Sequence, residues 1–345
     1  MRMHSIDPLV DRRWDAFVAR HPQASVFHHR GWLEALHRTY GYEPVVLTTT
    51  PADQALTNGM ALCRVSSWMT GTRLVSLPFA DHCQPLVDWA ELPTFTAWLK
   101  AECDRQKWGY VELRPLTAAM PAAVGVERCA SFWFHQLSLD ADLDQIFGRL
   151  HKNSFRRKIR RANREALAYE SGSSQSLVDE FYRLMLKTRR RHHMLPQPHA
   201  WFRNLVDCMK ENVRIRVVRK DGTAIAAMLS LHHGSSAVYK YGCSDARFHA
   251  LGGMPFLFWK LIEESKAARA ETIDLGRCDH GQTGLTIFKD RLGATKTFLN
   301  YYRHTNPKTA SMSAIFRLLG TWDKIFSFPD TVLSTAGKVV YKHLG

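Results

Sequence analysis

Between His151 and Arg164, half of the residues are Lys or Arg: Lys152, Arg156, Arg157, Lys158, Arg160, Arg161 and Arg164. Phe155, Ile159, Ala162 and Ala166 recur through the same run at helical spacing and form one apolar stripe. The pattern predicts a docked helix with a positive outer face, not a loose basic tail. Glu165 is the one acid in the run placed to pair at i,i+4 spacing. Such a face is either a solvated surface or a seat for an anion, and a nucleotide-bearing substrate or an RNA backbone fits the latter. A second basic group, Arg189, Arg190 and Arg191, ends a later predicted helix. Leu251-Gly252-Gly253 stands just before another, where free backbone N–H groups and the helix dipole favour phosphate, although a plain turn reads equally well. The His-His pairs at 28–29, 192–193 and 232–233 do not suggest a metal, because neighbours on a strand face opposite ways. Cys278 beside Asp279-His280 lacks the geometry expected of a nucleophile and its base. No metal site is expected.

The elements that position these residues follow from composition and periodicity. The 345 residues carry a net charge of +15, and 45% are hydrophobic, as in a folded globular protein. The charge is unevenly spread: residues 1–140 hold 13 basic and 14 acidic side chains, and residues 141–345 hold 34 and 18. The C-terminal region therefore faces something anionic. No zinc finger, helix-turn-helix or leucine zipper pattern is present, so DNA is not the expected partner. Seven scattered cysteines without a CxxC suggest a reducing compartment. The opening "MRMHSIDPLVDRRWDAF" has no apolar core of a secretory leader, and no apolar run is long enough to span a bilayer. A cytoplasmic protein is expected, with peripheral contact at the inner membrane as a further option.

In the N-terminal region, "DRRWDAFVARHPQASVFHHRGWLEALHRTYGY" reads as two helices broken at His21-Pro22. Strands are predicted at "EPVVLTTT", "ALTNGMALCRVS", "RLVSLPF" and "WGYVELRPL", with a helix over 93–107. The C-terminal region opens with a single predicted helix over 143–167, then helices over 177–193 and 201–211. Three strands follow, joined at Asp221-Gly222 and Gly234-Ser235. A helix over 255–268, a strand "ETIDLGR", a short helix over 285–291 and a strand "TFLNYYRH" come next. After Asn306-Pro307 runs an amphipathic tail, with Phe316, Leu319, Trp322 and Ile325 near one face. The fold expected is α+β, in two units of mixed, largely antiparallel sheet (1–140 and 141–306) with a C-terminal helical tail (307–345).

Three stretches carry a family resemblance: Tyr239-Lys240-Tyr241-Gly242-Cys243-Ser244, Asp274-Leu275-Gly276-Arg277, and Gly284-Leu285-Thr286-Ile287-Phe288-Lys289 with Gly293. Together with the basic helix, and with "SVFHHRGWLEALHRTYGYEP" and "RLVSLPFADHCQPL" nearer the N-terminus, they resemble the FemAB-like branch of the GNAT acyltransferases. The resemblance reaches to about His304. It implies two tandem GNAT-like units and transfer of an acyl or aminoacyl group to an amine. The donor implied is acyl-CoA or an aminoacyl-tRNA. The long helical insertion of the large Fem transferases is absent here, which weakens the transfer RNA expectation.

The resemblance also assigns roles. Phe288 is implied as a wall or stacking residue beside the donor's reactive end, and Lys289 as the group that stabilises charge there. Gly252 and Gly253 fall at the coenzyme A phosphate loop. Tyr241 and Gly242 fall on the strand that approaches the donor; Tyr239 and Tyr241 act as cleft wall or hydroxyl donors, or are ordinary strand aromatics. Arg191 is implied to meet acceptor phosphates. Arg277 suits an anionic group and His280 an amine proton. Arg38, beside Trp32 in the first unit, is a further substrate-binding candidate. The acceptor expected is an amine of a cell-envelope, polysaccharide or peptide precursor. The alternatives are an aminoacyl-tRNA-dependent peptidyltransferase of peptidoglycan type, and a non-catalytic protein that binds anionic membrane or RNA.

Overall fold

A computed structural model describes residues 2–116, 120, 125–307 and 328–345. The chain forms two compact units. Unit 1 takes Met1–Phe132, the segment from Phe298, and Thr335–Gly345; unit 2 takes Trp133–Thr297 and Pro329–Ser334.

The first elements run β1 (His4–Ile6), α1 (Arg13–Arg20), α2 (Arg30–Tyr40), β2 (Glu43–Thr48), β3 (Met60–Ser67), β4 (Gly71–Val75), α3 (Leu92–Arg105) and β5 (Tyr110–Leu113). Then come β6 (Glu127–Ser138), α4 (Leu143–Arg149), α5 (Arg157–Arg164), β7 (Ala168–Gly172), α6 (Gln175–Arg191), α7 (His199–Met209), β8 (Val213–Lys220), β9 (Thr223–His233) and β10 (Ser236–Ser244). The last are α8 (Gly253–Ala267), β11 (Thr272–Cys278), α9 (Thr283–Arg291), β12 (Thr295–Thr305) and α10 (Asp330–Leu344). In unit 1 the strand order is β1-β2-β3-β4-β5-β12, antiparallel except for β4 with β5. In unit 2 it is β6-β11-β10-β9-β8-β7, antiparallel except for β10 with β11. This is the mixed, largely antiparallel α+β architecture expected, with a C-terminal helix.

Local chemistry explains the boundaries. α1 stops at His21, whose extended backbone precedes Pro22, and α2 ends at Gly41 in the left-handed conformation that glycine tolerates. Asp221 and Gly222 both have positive φ, the requirement of a two-residue hairpin turn with the twist of its strands. Trp14, Phe17 and Val18 of α1 and Trp32, Leu33, Leu36 and Tyr40 of α2 are buried, as their stripes predict.

The single helix predicted over 143–167 is corrected to two. Leu150 is extended, so α4 ends, and His151 caps the restart by accepting Ser154 N–H at 3.2 Å through Nδ1. A π-helical turn over Lys152–Arg156 leads into α5. The break is fixed from outside: His151 N–H donates to the Arg291 carbonyl at 2.9 Å. Ala166 is exposed with positive φ, so the buried stripe is Phe155, Ile159 and Ala162, continued by Leu167. The strands β1, β6 and β7 were not expected from the sequence. The tail residues Phe316, Leu319, Trp322 and Ile325 lie outside the described residues. Leu333 of α10 is buried, and Tyr42 Oη donates to the Tyr341 carbonyl at 2.7 Å within unit 1. Among the described residues no helix is long and apolar enough to cross a membrane.

Phe155 joins α5 to the unit 2 core: it is fully buried, with ring centroids 5.0 Å from Phe288 and 6.5 Å from Phe258. Phe155→Ala is expected to cost about 3–5 kcal/mol, read from urea unfolding followed by fluorescence. A loss under about 1 kcal/mol would mean that the neighbours close the hole and that the ring does not anchor the basic helix.

Candidate functional site

In unit 2 the central parallel pair is short. β10 and β11 are in register over Ser236–Val238 and Thr272–Asp274, and the pairing ends there. Both strands then carry an irregularity. β10 bulges at Lys240, between Tyr239 and Tyr241, and β11 bulges between Asp274 and Arg277, opposite His135 of β6. Gly276 sits in this bulge at φ 73°, and its N–H donates to Asp274 Oδ1 at 2.6 Å. Two strands that diverge leave backbone groups and space between them, the requirement for holding an extended ligand.

A cleft of about 400 Å³ opens beside the end of β10. Lys158, Ser244, His249, Gly253, Phe288 and Arg291 are among its lining residues. Its floor is the start of α8. Gly252 precedes that helix at φ 82° and supplies no side-chain cap, so the first N–H groups of α8 have no intrahelical acceptor. A Cβ on Gly252 would lie 2.5 Å from the Lys158 carbonyl oxygen, and one on Gly253 would lie 3.0 Å from Ala226 Cβ. The two glycines therefore let α8 begin hard against α5 and β9. The approach loop is anchored by Asp245, which accepts from Arg247 and from Lys187, each at 2.7 Å, and the Arg247 contact leads in holding its carboxyl well below the usual range. Ser244 N–H donates to Thr188 Oγ1 at 2.9 Å, and Arg191 donates to the Ser244 carbonyl at 3.1 Å. His249 Nε2 lies 2.9 Å from Ser244 Oγ. Burial first, then the charges of Arg191 and Lys158, lower the His249 pKa. The arrangement is an uncapped helix start ringed by cationic groups, which fits the phosphates of a nucleotide-bearing donor.

The structure gathers some of the expected residues here and places others elsewhere. Gly253 lines the cleft floor and Gly252 stands just before it, outside the lining; Phe288 forms a wall, packed on Phe155 and 5.3 Å from Phe258. A Cβ on Gly242 would lie 2.2 Å from Tyr239 Oη and 2.9 Å from Met254 Cε, so glycine lets the Tyr239 side chain lie along the strand. Tyr239 packs on Phe258 at 4.7 Å, and burial pushes its hydroxyl pKa up. Tyr241 turns toward α7, where its Oη accepts from Trp201 Nε1 at 3.1 Å. Arg191 clamps the end of β10.

Lys289 is not among the cleft-lining residues. It is 3% exposed, and its ammonium donates to the Gly276 carbonyl at 2.9 Å and the Arg277 carbonyl at 3.1 Å, at the β11 bulge. Arg277 and His280 are exposed, and the His280 ring sits edge-on to Trp133 at 4.9 Å. Cys278 is buried, and its sulfur lies 3.9 Å from Nδ1 of His135. Arg38 belongs to α2 of unit 1, where it pairs with Glu34. Also in unit 1, the metal-ligating types Cys103, Asp104 and His304 lie near one another, with the thiol donating to the Trp108 carbonyl and Asp104 paired to His304.

Sequence reasoning missed Ser154, Lys158, Ser244, His249 and Arg291 as cleft residues. The signals were present for two of them. His249 stands three residues before Gly252, and Arg291 falls one turn after Phe288, on the same helix face. Along the basic run, Glu165 pairs with Arg161 at 3.5 Å. Among the described residues, Lys152, Arg157, Lys158, Arg160 and Arg164 have no ion-pair partner, and all five are exposed.

Residues 149–289 match the family model described as an acetyltransferase (GNAT) domain. Solved structures share the fold at low identity. FemX superposes with a TM-score of 0.71 at 15% identity, over 92% of this chain and 100% of its own. The C-terminal domain of a putative lysylphosphatidylglycerol synthetase from Agrobacterium fabrum gives 0.57 at 16%, over 90% and 95%. A tandem GNAT protein from the clavulanic acid biosynthesis pathway, solved without AcCoA, gives 0.53 at 9%, over 88% and 99%. No curated protein matches the sequence significantly.

An anion seated in the cleft favours protonated His249, so its binding must depend on pH. Because the free imidazole titrates below its ordinary value, the gain is fully present only below that lowered pKa and is lost as pH rises through the higher pKa of the complex. Coenzyme A affinity, by calorimetry, is expected to rise up to about tenfold on lowering the pH from about 8 to about 5.5. His249→Ala should flatten that slope. An unchanged slope in the variant would remove His249 from the anion site.

Proposed function

We infer that this chain, a GNAT-superfamily acyltransferase built on the fold of FemX, seats a phosphate-bearing acyl or aminoacyl donor in the unit 2 cleft. We propose that it passes the acyl group to an amine of a cell-envelope, polysaccharide or peptide precursor. One observation supports this reading most: the uncapped start of α8, just after Gly252, opens into the cleft beside the end of β10, flanked by Lys158, His249 and Arg291.

GNAT domains typically take acyl-CoA as co-substrate, and the fit is good. The free N–H groups of Gly253 and Met254 and the surrounding cations would hold the pyrophosphate, and the apolar wall of Ile225, Met254 and Phe288 would face the less polar arm. The acyl end would then run toward the gap between the strands. In a direct transfer the neutral amine attacks the donor carbonyl, a C–N bond forms, the bond from the carbonyl carbon to the carrier breaks, and the proton shed by the amine ends on the departing carrier sulfur or oxygen. Lys289, at the bulge of β11, is the charged group proposed to stabilise the carbonyl oxygen as charge develops there.

A second reading takes aminoacyl-tRNA as the donor. The exposed cations of the basic run that lack ion-pair partners support it, since a row of free lysines and arginines suits a polyanion larger than a dinucleotide.

Calorimetry with acetyl-coenzyme A and with charged transfer RNA, each at two salt concentrations, separates the readings. On the acyl-CoA reading, acetyl-coenzyme A binds, and Lys158→Ala with Arg291→Ala weakens it by about ten- to a hundredfold. On the transfer RNA reading, Arg157→Ala with Arg164→Ala weakens RNA binding and flattens its salt slope by about 2. Binding of neither donor by a folded protein would overturn both.

A further inference from the structure

Behind the cleft, on the other side of α9, a polar cluster joins three elements of unit 2; His135 and Cys278 are its buried end, and Asp290 and Lys296 reach the surface. His135 on β6 is completely buried. Its Nε2 lies 3.2 Å from Asp290 Oδ1 on α9, and its Nδ1 lies 3.9 Å from Cys278 Sγ on β11. With the thiol donating to Nδ1, Nε2 carries the proton and donates to Asp290. Asp290 also meets Lys296 at 3.7 Å, and Lys296 lies over the Trp133 ring at 4.8 Å.

The residue before Asp290 on α9 is Lys289, and its surroundings are unusual. No carboxylate lies within ion-pair distance of its ammonium among the described residues. Instead two backbone carbonyls of the β11 bulge accept from it. A buried ammonium held by neutral dipoles alone is costly, so its place must be set by its neighbours. His135 stands opposite that bulge, where two residues of β11 face one of β6. Its ring therefore spans from the bulged strand to the helix that delivers Lys289.

We propose that His135 and Asp290 form a positioning pair that fixes Lys289 against the Gly276 and Arg277 carbonyls, and that the pair does so only while the imidazole is neutral. Asp290 ties α9 to β6 one residue after Lys289, which sets the direction in which the lysine leaves the helix. The groups facing the ring are Lys289 and Asp290 from α9, Cys278 from β11 and, through Asp290, Lys296 from β12. Burial and the Lys289 charge both act against protonation of the ring, and Asp290 acts for it. A proton on His135 would put a second positive charge beside the ammonium and drive Lys289 from its carbonyls. The importance of this pair for transfer rests on the role proposed for Lys289, but the pair itself is tested without any substrate.

The test is trace acetylation of the full chain with acetic anhydride, with mass spectrometry of the Lys289 peptide. Labelling is taken relative to the exposed Lys338 across about pH 5 to about pH 9. In the wild type Lys289 should be protected at least about tenfold near pH 8, and the protection should fall as the pH drops through the His135 range. His135→Ala and Asp290→Asn should raise relative labelling at least about threefold at pH 8. His135→Gln keeps a donor to Asp290 but cannot take a proton, so it should retain the protection and lose the acid dependence. Equal labelling in all variants, with the fold confirmed by circular dichroism, would overturn the proposal; so would an unchanged acid dependence in His135→Gln. A working pair in a protein whose Lys289→Ala variant transfers normally would leave the pair intact and remove Lys289 from the chemistry.

Discussion

The constraint on which the site of unit 2 depends is the early divergence of β10 and β11. A parallel pair in the middle of a sheet ordinarily continues its ladder, because every unpaired N–H and C=O there costs free energy. Here the ladder stops after Val238 and Asp274, and each strand bulges just beyond. The backbone groups so released find other partners. The carbonyls of Gly276 and Arg277 turn to the Lys289 ammonium, the Gly276 N–H turns to Asp274, and the end of β10 is tied by Thr188 and Arg191. The gap is thus held open by specific hydrogen bonds on both sides, which keeps it from closing into a continuous sheet.

The positive charge of residues 141–345 follows from the same geometry. α8 begins without a side-chain cap, so the positive end of its dipole faces the cleft, and cationic residues from α5, α6 and α9 stand around it. Like charges gathered at a helix start repel one another unless an anion is present. The protein limits that cost by exposing most of α5's cations to water and burying only its apolar stripe, anchored by Phe155. Arg156, in the π-helical turn before α5, differs: its Nε is buried and has no hydrogen-bond partner among the described residues. A scaffold of this kind stores unfavourable electrostatics where a ligand can relieve them.

Much of the fold was legible in the sequence, because most elements announce themselves by period and punctuation. The α1–α2 break at His21-Pro22, the Asp221-Gly222 turn and the buried stripes of Trp14 and Trp32 all come from local physics. The elements that sequence reading missed are set by distant partners. The break after Arg149 has a local part, the His151 side chain capping Ser154, which a histidine does not advertise; the rest is the Arg291 carbonyl, far along the chain, which pins the His151 N–H. β6 reads ambiguously because its alternation is interrupted where it faces the β11 bulge. The candidate site was legible where glycine was required. Gly252 and Gly253 stand where any Cβ would strike a neighbour, and Phe288 was marked by its family resemblance. His249, Ser154 and Arg291 were not legible as a group, since only the folded chain brings their three segments to one cleft.

α9 connects the cleft to the bulge through its two faces. Phe288 and Arg291 face the cleft, and Lys289 and Asp290 face the bulge and β6. Consecutive helix residues point about 100° apart, so one short helix serves both sides of the same gap. Anything that moves α9 along or about its axis must change the cleft wall and the lysine together. A donor that packs on Phe288 is therefore mechanically coupled to the ammonium at Gly276, without either group touching the other. Short as it is, α9 cannot be held rigid by its own hydrogen bonds alone. Its stiffness has to come from what grips it: the aromatic stack of Phe155, Phe258 and Phe288 on one side, and, on the other, the His135–Asp290 contact and the bonds from Lys289 to the β11 carbonyls.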